Sequence, residues 1–383
     1  MHFASVLAVL SALGAVSASP RPGIQDQRLR RAATSPNPFE GRKLYANPIW
    51  AQKLEETHKA FLSKGDTQNA AKVRTAQNTG SFVWVSSTSM LPDIDTAITG
   101  ARAAQRKTGQ KQTVGLVLYN LPDRDCSAGE SAGEFSTDRN GLQLYKDAFV
   151  KPFAQKLARA TDLNFAVVVE PDALANLVTN SNVALCAKAK TAYQDGIANV
   201  IASLQYEHVG LYIDAANGGW LGWDKNLESA AEVFAKVVKQ AGNNAKIRGF
   251  STNVSNYNPL NANPRESFTE GSNSYDESHY ALSLAPHLEA RGLPSRFIID
   301  QSRVSNNRKS WGDWCNVSPA GFGMVPGNPV NNNHIDSIVW VKTAGESDGQ
   351  CGLQGAPAAG AWFDTYVQML VKNAHPSLVA GKA

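Results

Sequence analysis

The chain alternates between two kinds of hydrophobic pattern over almost its whole length. Seven short runs, near residues 81–86, 113–119, 164–169, 209–213, 246–250, 296–300 and 336–341, are rich in Val, Ile, Leu, Phe and Tyr. Runs of this kind predict strands buried on both faces of a parallel sheet. Between most of them, apolar residues recur at three- and four-residue spacing with polar residues opposite, which predicts amphipathic helices. The clearest cover 145–160, 187–204, 227–241, 275–290 and 362–373. Regular strand–helix alternation implies right-handed crossovers. Seven strands, with no G-x-G-x-x-G after the first, favour a barrel over a dinucleotide-binding sheet. The predicted class is α/β, a single-domain, seven-stranded parallel β/α barrel. No repeat, low-complexity stretch or linker divides the chain from about residue 36 onward. The connections after the strands are long and rich in Gly, Asn, Ser and Trp, which marks one end as functional.

Where strands end, acidic residues begin. The run ending at Tyr119 leads into Leu121-Pro-Asp123-Arg-Asp125-Cys126. The run ending at Val169 leads into Glu170-Pro-Asp172, and the one ending at Ile213 into Asp214-Ala-Ala-Asn217. Carboxylates just past the C-terminal ends of parallel strands sit where such folds build active sites. Breaking an acetal needs an acid for the leaving oxygen and a base or nucleophile, and two carboxylates supply both. The candidates are Asp123, Asp125, Glu170, Asp172, Asp214, Glu346 and Asp348. An acid must stay protonated, and a neighbouring carboxylate in apolar surroundings raises its pKa. Asp125 and Asp172, at adjacent strand ends, suit that pairing. Any one of them alone reads equally well as a helix cap or a partner for Arg124; the set at several strand ends favours a site.

Trp84, Trp220, Trp223 and Trp314 lie in strands or in the loops that follow them, where indoles can stack on the flat C–H faces of sugars. Trp340 and Trp362, inside apolar runs, read as core. Other chemistries fit less well. Gly129-Glu-Ser131-Ala-Gly133 has the letters of a serine-hydrolase elbow but lacks the strand before it and the helix after it. No H-E-x-x-H pair and no close cysteine pair indicates a metal. Asn253-Val-Ser255 and Asn316-Val-Ser318 are glycosylation sequons, of which Asn316 is expected to be buried near the site.

The apolar stretch 3–16, closing in small residues at 16–18, reads as a secretory signal peptide (1–18). The basic cluster Arg28-Leu-Arg30-Arg31 then reads as the end of a propeptide (19–31), leaving a catalytic domain at 32–383. Residues 1–31 hold four Arg and one Asp, so a whole-chain charge of +4 leaves +1 for the remainder. A near-neutral domain offers no electrostatic case for nucleic acid or an anionic membrane, and no later stretch is apolar and long enough to span one. Four cysteines in a secreted context predict two disulfides, with the pairing open on spacing alone.

Several of these segments together resemble glycoside hydrolase family 6, the cellobiohydrolase II and endoglucanase family. They are Tyr119-Asn-Leu-Pro-Asp-Arg-Asp-Cys126, Glu170-Pro-Asp-Ala-Leu-Ala-Asn-Leu-Val-Thr-Asn180, Gly219-Trp-Leu-Gly-Trp223, Trp311-Gly-Asp-Trp-Cys315 and Trp340-Val-Lys342. The likeness runs from about residue 37 to 376. It implies a distorted seven-stranded barrel that cuts β-1,4-glucan with inversion, as a secreted monomer without metal or cofactor. By position, Asp172 resembles the general acid and Asp125 the partner that keeps it protonated and organises a water relay. Tyr119 resembles the residue pressing on the distorted sugar, Ser131 a water-positioning group, and Asp348 the disputed base. Lys342, Glu346 and Asn180 are expected to bind sugar, and Trp84, Trp220, Trp223 and Trp314 to form platforms. The resemblance also implies Cys126–Cys186 and Cys315–Cys351.

The chain departs from the family pattern in two places. Asn217, in Ala215-Ala-Asn217-Gly, stands where the family commonly has a sugar-binding His. Asp348 lies only three residues before Cys351, where cellobiohydrolases insert a loop that roofs the site. The expectation is therefore an endo-acting enzyme with an open cleft and no cellulose-binding module. The alternatives are a cellobiohydrolase enclosed by loop 127–140 and, in a different class, a silent glucan-binding protein, against which the acid pair argues.

Overall fold

The computed structural model describes Met1 and residues 35–305, 308–327 and 332–381. The expected signal peptide (beyond Met1) and propeptide lie outside the described residues. Eight strands form one sheet: β1 (Lys43–Leu44), β2 (Val83–Val85), β3 (Gln112–Leu118), β4 (Asn164–Val169), β5 (Val209–Asp214), β6 (Gly249–Thr252), β7 (Phe297–Asp300) and β8 (Ile335–Val339). Every pairing is parallel. Strands β3 to β8 follow one another in chain order, while β1 and β2 pair with the beginning and end of β3. At the open side, Phe82 N–H donates to the Trp340 carbonyl at 3.0 Å, so the sheet curls until its two edges nearly meet. The seven predicted runs are β2 to β8, and the two-residue β1 is an addition that the hydrophobic pattern did not show. The predicted run 246–250 becomes a strand only at Gly249, where a side chain would lie 2.0 Å from the Arg296 carbonyl oxygen.

The strands are sorted by their period of two. Val117, Tyr119, Ala166, Val168, Tyr212 and Ile298 fill the barrel interior. Leu116, Leu118, Val167 and Val169 pack outward against the helices. Both faces of β3 and β5 are buried, which is why their sequences run apolar without alternation. A slip of one residue would exchange the two faces, so this double burial pins the register that aims each strand end. A second apolar cluster joins the helices Pro48–Ser63 and Asp364–Lys372 around Trp50 and Trp340. Trp340 is fully buried as expected; Trp362 is partly buried against the same cluster. The disulfides are Cys126–Cys186 and Cys315–Cys351.

Candidate active site

Backbone strain is concentrated at the C-terminal strand ends. Asp123, Asp125, Glu170, Asp172, Ala216 and Asn253 all have positive φ, between 49° and 67°. Non-glycine residues avoid this region unless the surroundings hold them there. The restraint is visible. Glu170 accepts hydrogen bonds from Asn120 N (2.9 Å), Leu121 N (3.3 Å) and Tyr145 Oη (2.7 Å), tying the end of β4 to the loop after β3. Tyr145 opens a six-residue π-helical turn, Tyr145–Val150. Asp214 accepts from Asp172 N (2.9 Å) and Ala216 N (3.1 Å), tying β5 to the loop after β4. Asp300 accepts from Val341 N and Lys342 N, both at 3.0 Å, tying β7 to the loop after β8. Several strand-end acids are thus staples between neighbouring loops.

Asp172 is different. It precedes the helix Ala173–Thr179, but its carboxyl makes no capping bond, and none of the described residues hydrogen-bonds to it. Burial first, then the charges of Asp214 and Asp125, push its pKa well above the usual carboxylate range. Burial likewise raises Asp214 to about 6 and Glu170 to about 7, the latter against its three hydrogen bonds. A protonated, unpartnered carboxyl at the floor of a cleft is poised to give its proton to something that enters.

Facing it, Asp125 Oδ2 accepts from Ser131 N at 2.7 Å and from Ser131 Oγ at 3.1 Å. Ser131 Oγ lies 3.0 Å from Tyr119 Oη. The Arg124 guanidinium stacks over the Tyr119 ring at 4.4 Å and donates to the Ser131, Ser86 and Tyr119 carbonyls. Arg124 therefore braces the loop, and its bonds go to carbonyls and a ring. The Cys126–Cys186 disulfide anchors the same loop to the helix Ala184–Ser203. Asp123 turns away to Thr137 N at 3.0 Å.

Asp348 accepts four hydrogen bonds, from Arg303 Nη1 (2.8 Å) and Nη2 (3.0 Å), Tyr257 Oη (2.9 Å) and Asn316 N (3.0 Å), and pairs with Lys342 Nζ at 3.2 Å. Burial alone would raise its pKa, but the Arg303 and Lys342 charges hold it at about 2. An anion this well satisfied is a weak proton acceptor. Asn316 is buried beneath it, and Asn253 is buried at the end of β6, so neither sequon is accessible in the folded chain.

Asp172, Asp125, Ser131, Tyr119, Arg124 and Asp348 line one cleft of about 750 Å³ across the barrel mouth. Trp84, Trp220, Trp314, Asn180, Asn217, Lys342 and Glu346 all contribute to its wall. Trp84 Nε1 donates to the Val341 carbonyl at 2.7 Å, setting its ring edge-on to Tyr119 at 5.5 Å. Trp314 is 40% exposed at one end. Trp223 is placed behind the wall, perpendicular to Trp311 at 5.2 Å, and Trp311 is the indole that lines the cleft. Sequence reasoning quoted Trp311 only within a motif and missed Arg303, Tyr257 and Lys53 altogether. Lys53, from the helix Pro48–Ser63, donates to Glu346 at 2.5 Å. A lone Arg, Tyr or Lys carries no local signal of its distant partner. Among the described residues no His/Cys/Asp/Glu group forms a metal site.

An unpartnered acid, a second carboxylate bonded to a serine, and indoles along a groove at the C-terminal face of a parallel barrel define a carbohydrate-cleaving enzyme. The family model for glycosyl hydrolases family 6 matches residues 39–374, and the chain belongs to that family. It is 60% identical to the 1,4-beta-D-glucan cellobiohydrolase CEL6B of Podospora anserina over 89% of this chain and 83% of that protein. It shares 55% identity with the endoglucanase CEL6B from Humicola insolens, whose structure superposes with a TM-score of 0.88 over 90% of this chain and all of that one. A glycoside hydrolase family 6 enzyme from Coprinopsis cinerea, 44% identical, superposes at 0.87 over 90% of this chain and all of that one. The chain is thus a glycoside hydrolase, and the fold is the distorted parallel barrel of these relatives.

Proposed function

We propose that the chain is a secreted, monomeric endo-β-1,4-glucanase that cuts cellulose-like chains with inversion. The observation that carries the chemistry is the free, protonated Asp172 facing the Asp125–Ser131–Tyr119 cluster. In this reading Asp172 donates its proton to the leaving glycosidic oxygen as the C–O bond breaks. A water held by Ser131 attacks the opposite face of the sugar, and its proton passes toward Asp125. Tyr119, braced by Arg124, limits the sugar to a distorted ring. Asp348 keeps Lys342 and the strand-end loops in place and acts through its charge. Trp84, Trp220, Trp311 and Trp314 stack on successive sugars, with Asn180, Asn217, Lys342 and Glu346 as hydrogen-bond partners.

The endo mode rests on Asp348 lying only three residues before Cys351. Each residue reaches at most ~3.6 Å, too little to arch over a sugar chain. One contact favours the cellobiohydrolase reading: a side-chain carbon added at Gly349 would lie 2.5 Å from Glu130 Oε2, so loop 127–140 reaches the loop after β8. Viscosity loss measured against new reducing ends on carboxymethyl cellulose separates the two. Rapid viscosity loss is expected. Unchanged viscosity with accumulating cellobiose would establish the exo mode, and no reducing ends at all would leave only glucan binding.

A further inference from the structure

The cleft does not end at Trp84. Strand order across the barrel mouth places Trp84 on β2, then Tyr119 and Asp125 after β3, Asp172 after β4, and Asn217 and Trp220 after β5. A glucan whose scissile bond lies at Asp172 therefore has Trp84 to one side and Trp220 to the other, with Trp311 packed against Gly219 of the Trp220 loop. The same wall includes Lys53 of the helix Pro48–Ser63, and Met90 and Asp93 at the start of the helix Leu91–Thr108, which follows β2 and its Trp84 in the chain.

These side chains are arranged as a binding surface. Met90 is 38% exposed and its Sδ accepts from Ser86 Oγ at 3.2 Å. The Ser86 carbonyl is in turn bonded by Arg124, so this wall is continuous with the Tyr119 loop. The Asp93 carboxylate is half-buried in the groove, and none of the described residues hydrogen-bonds to it. Lys53 holds Glu346 and lends its positive charge to Asp93. Asp93 lies in the first turn of its helix, where a carboxylate also favours the helix dipole, but its place in the cleft wall beside the exposed Met90 thioether leaves its oxygens open to the groove. A pyranose does match the pair: its C–H face suits the thioether, and its hydroxyls suit the carboxylate and ammonium.

We propose that Met90, Asp93 and Lys53 form an additional sugar subsite that takes one β-glucosyl unit beyond the unit on Trp84. The subsite rests on the endo reading, because a chain that always ended at Trp84 would never fill it. Binding energy gained there reaches the reacting bond through the rest of the chain, so it appears as a preference for longer substrates.

The test compares specificity constants for cellohexaose and cellotetraose, with a reducing-end label to locate the cut bond. Asp93→Ala should lower the hexaose-to-tetraose ratio of kcat/KM by about tenfold, the loss of one charge-assisted hydrogen bond. Asp93→Asn should recover part of that ratio, and Met90→Trp should raise it above the native value. A folding defect lowers both substrates together and leaves the ratio alone, which keeps the outcomes separable. A ratio changed less than about twofold by both Asp93→Ala and Met90→Trp overturns the subsite, while viscosity loss on carboxymethyl cellulose would leave the endo reading standing. Cellobiose release without viscosity loss removes both.

Discussion

Two aspartates at this site have opposite surroundings. Asp172 has no hydrogen-bond donor and two nearby anions, so it holds its proton; Asp348 has four hydrogen-bond donors and two nearby cations, so it gives its proton up. Replacing each by Asn should separate their roles. Asp172→Asn removes the transferable proton and should lower turnover by at least ~10²-fold on cellulose. Substrates with good leaving groups should lose less, since they need less protonation. Equal loss on both kinds of substrate would take Asp172 out of the acid role. Asp348→Asn should also slow the enzyme, through disturbed neighbours. With a pKa of about 2, however, Asp348 titrates below the working range, so both limbs of the pH–activity profile should keep their positions. A basic limb that disappears in this variant would make Asp348 the base after all.

At the scale of elements, the loop between β3 and the helix that begins at Gly141 decides how the site is covered. It carries Asp125 and Ser131 inward and Glu130 across to Gly349. Its outer part is fastened by Glu134, which accepts from Asn120 Nδ2 and Thr88 N, both at 2.6 Å, and from Thr88 Oγ1 at 3.0 Å. Glu134 is exposed, so these bonds contribute little to global stability but hold the loop's position. Glu134→Ala should reduce kcat/KM on cello-oligosaccharides by about tenfold and shift the melting temperature by less than ~2 °C. A large loss of melting temperature with unaltered kinetics would show that Glu134 serves the fold instead of the loop.

For the whole molecule, the buried acids set the pH at which the fold is most stable. Glu170 and Glu277 are raised to about 7 and Asp214 to about 6, burial being the first cause in each. In the unfolded chain these groups titrate near ~4, so between about pH 4 and 7 the folded state binds more protons than the unfolded one. Stability must then rise as pH falls through that window. Asp348 works the other way: its folded pKa is depressed, so its contribution is present above ~4 and is lost as pH falls toward 2. The melting temperature should peak between about pH 4 and 5 and exceed the value at pH 7.5 by at least ~3 °C. A higher melting temperature at pH 7.5 would mean that these carboxylates are ionised without penalty.

Seven buried strands, five of the helices, the acidic strand ends and the indole-rich loops were legible in the linear pattern, because periodicity and residue chemistry are local properties. The family motifs extended this to both disulfide pairs and to Asp125 and Asp172 as residues of the cleft wall. Three things were not legible. The two-residue β1 is too short to leave a hydrophobic signature. Trp223 and Trp311 both sit in quoted motifs, and only packing around Gly219 places the second in the cleft and the first behind it. Above all, the strand-end pattern by itself does not rank Glu170, Asp172, Asp214 and Asp348; only the family resemblance separates their roles. Their protonation depends on which donors and charges the barrel brings close from residues as far away as Arg303 and Lys342, and those distances exist only in the folded chain.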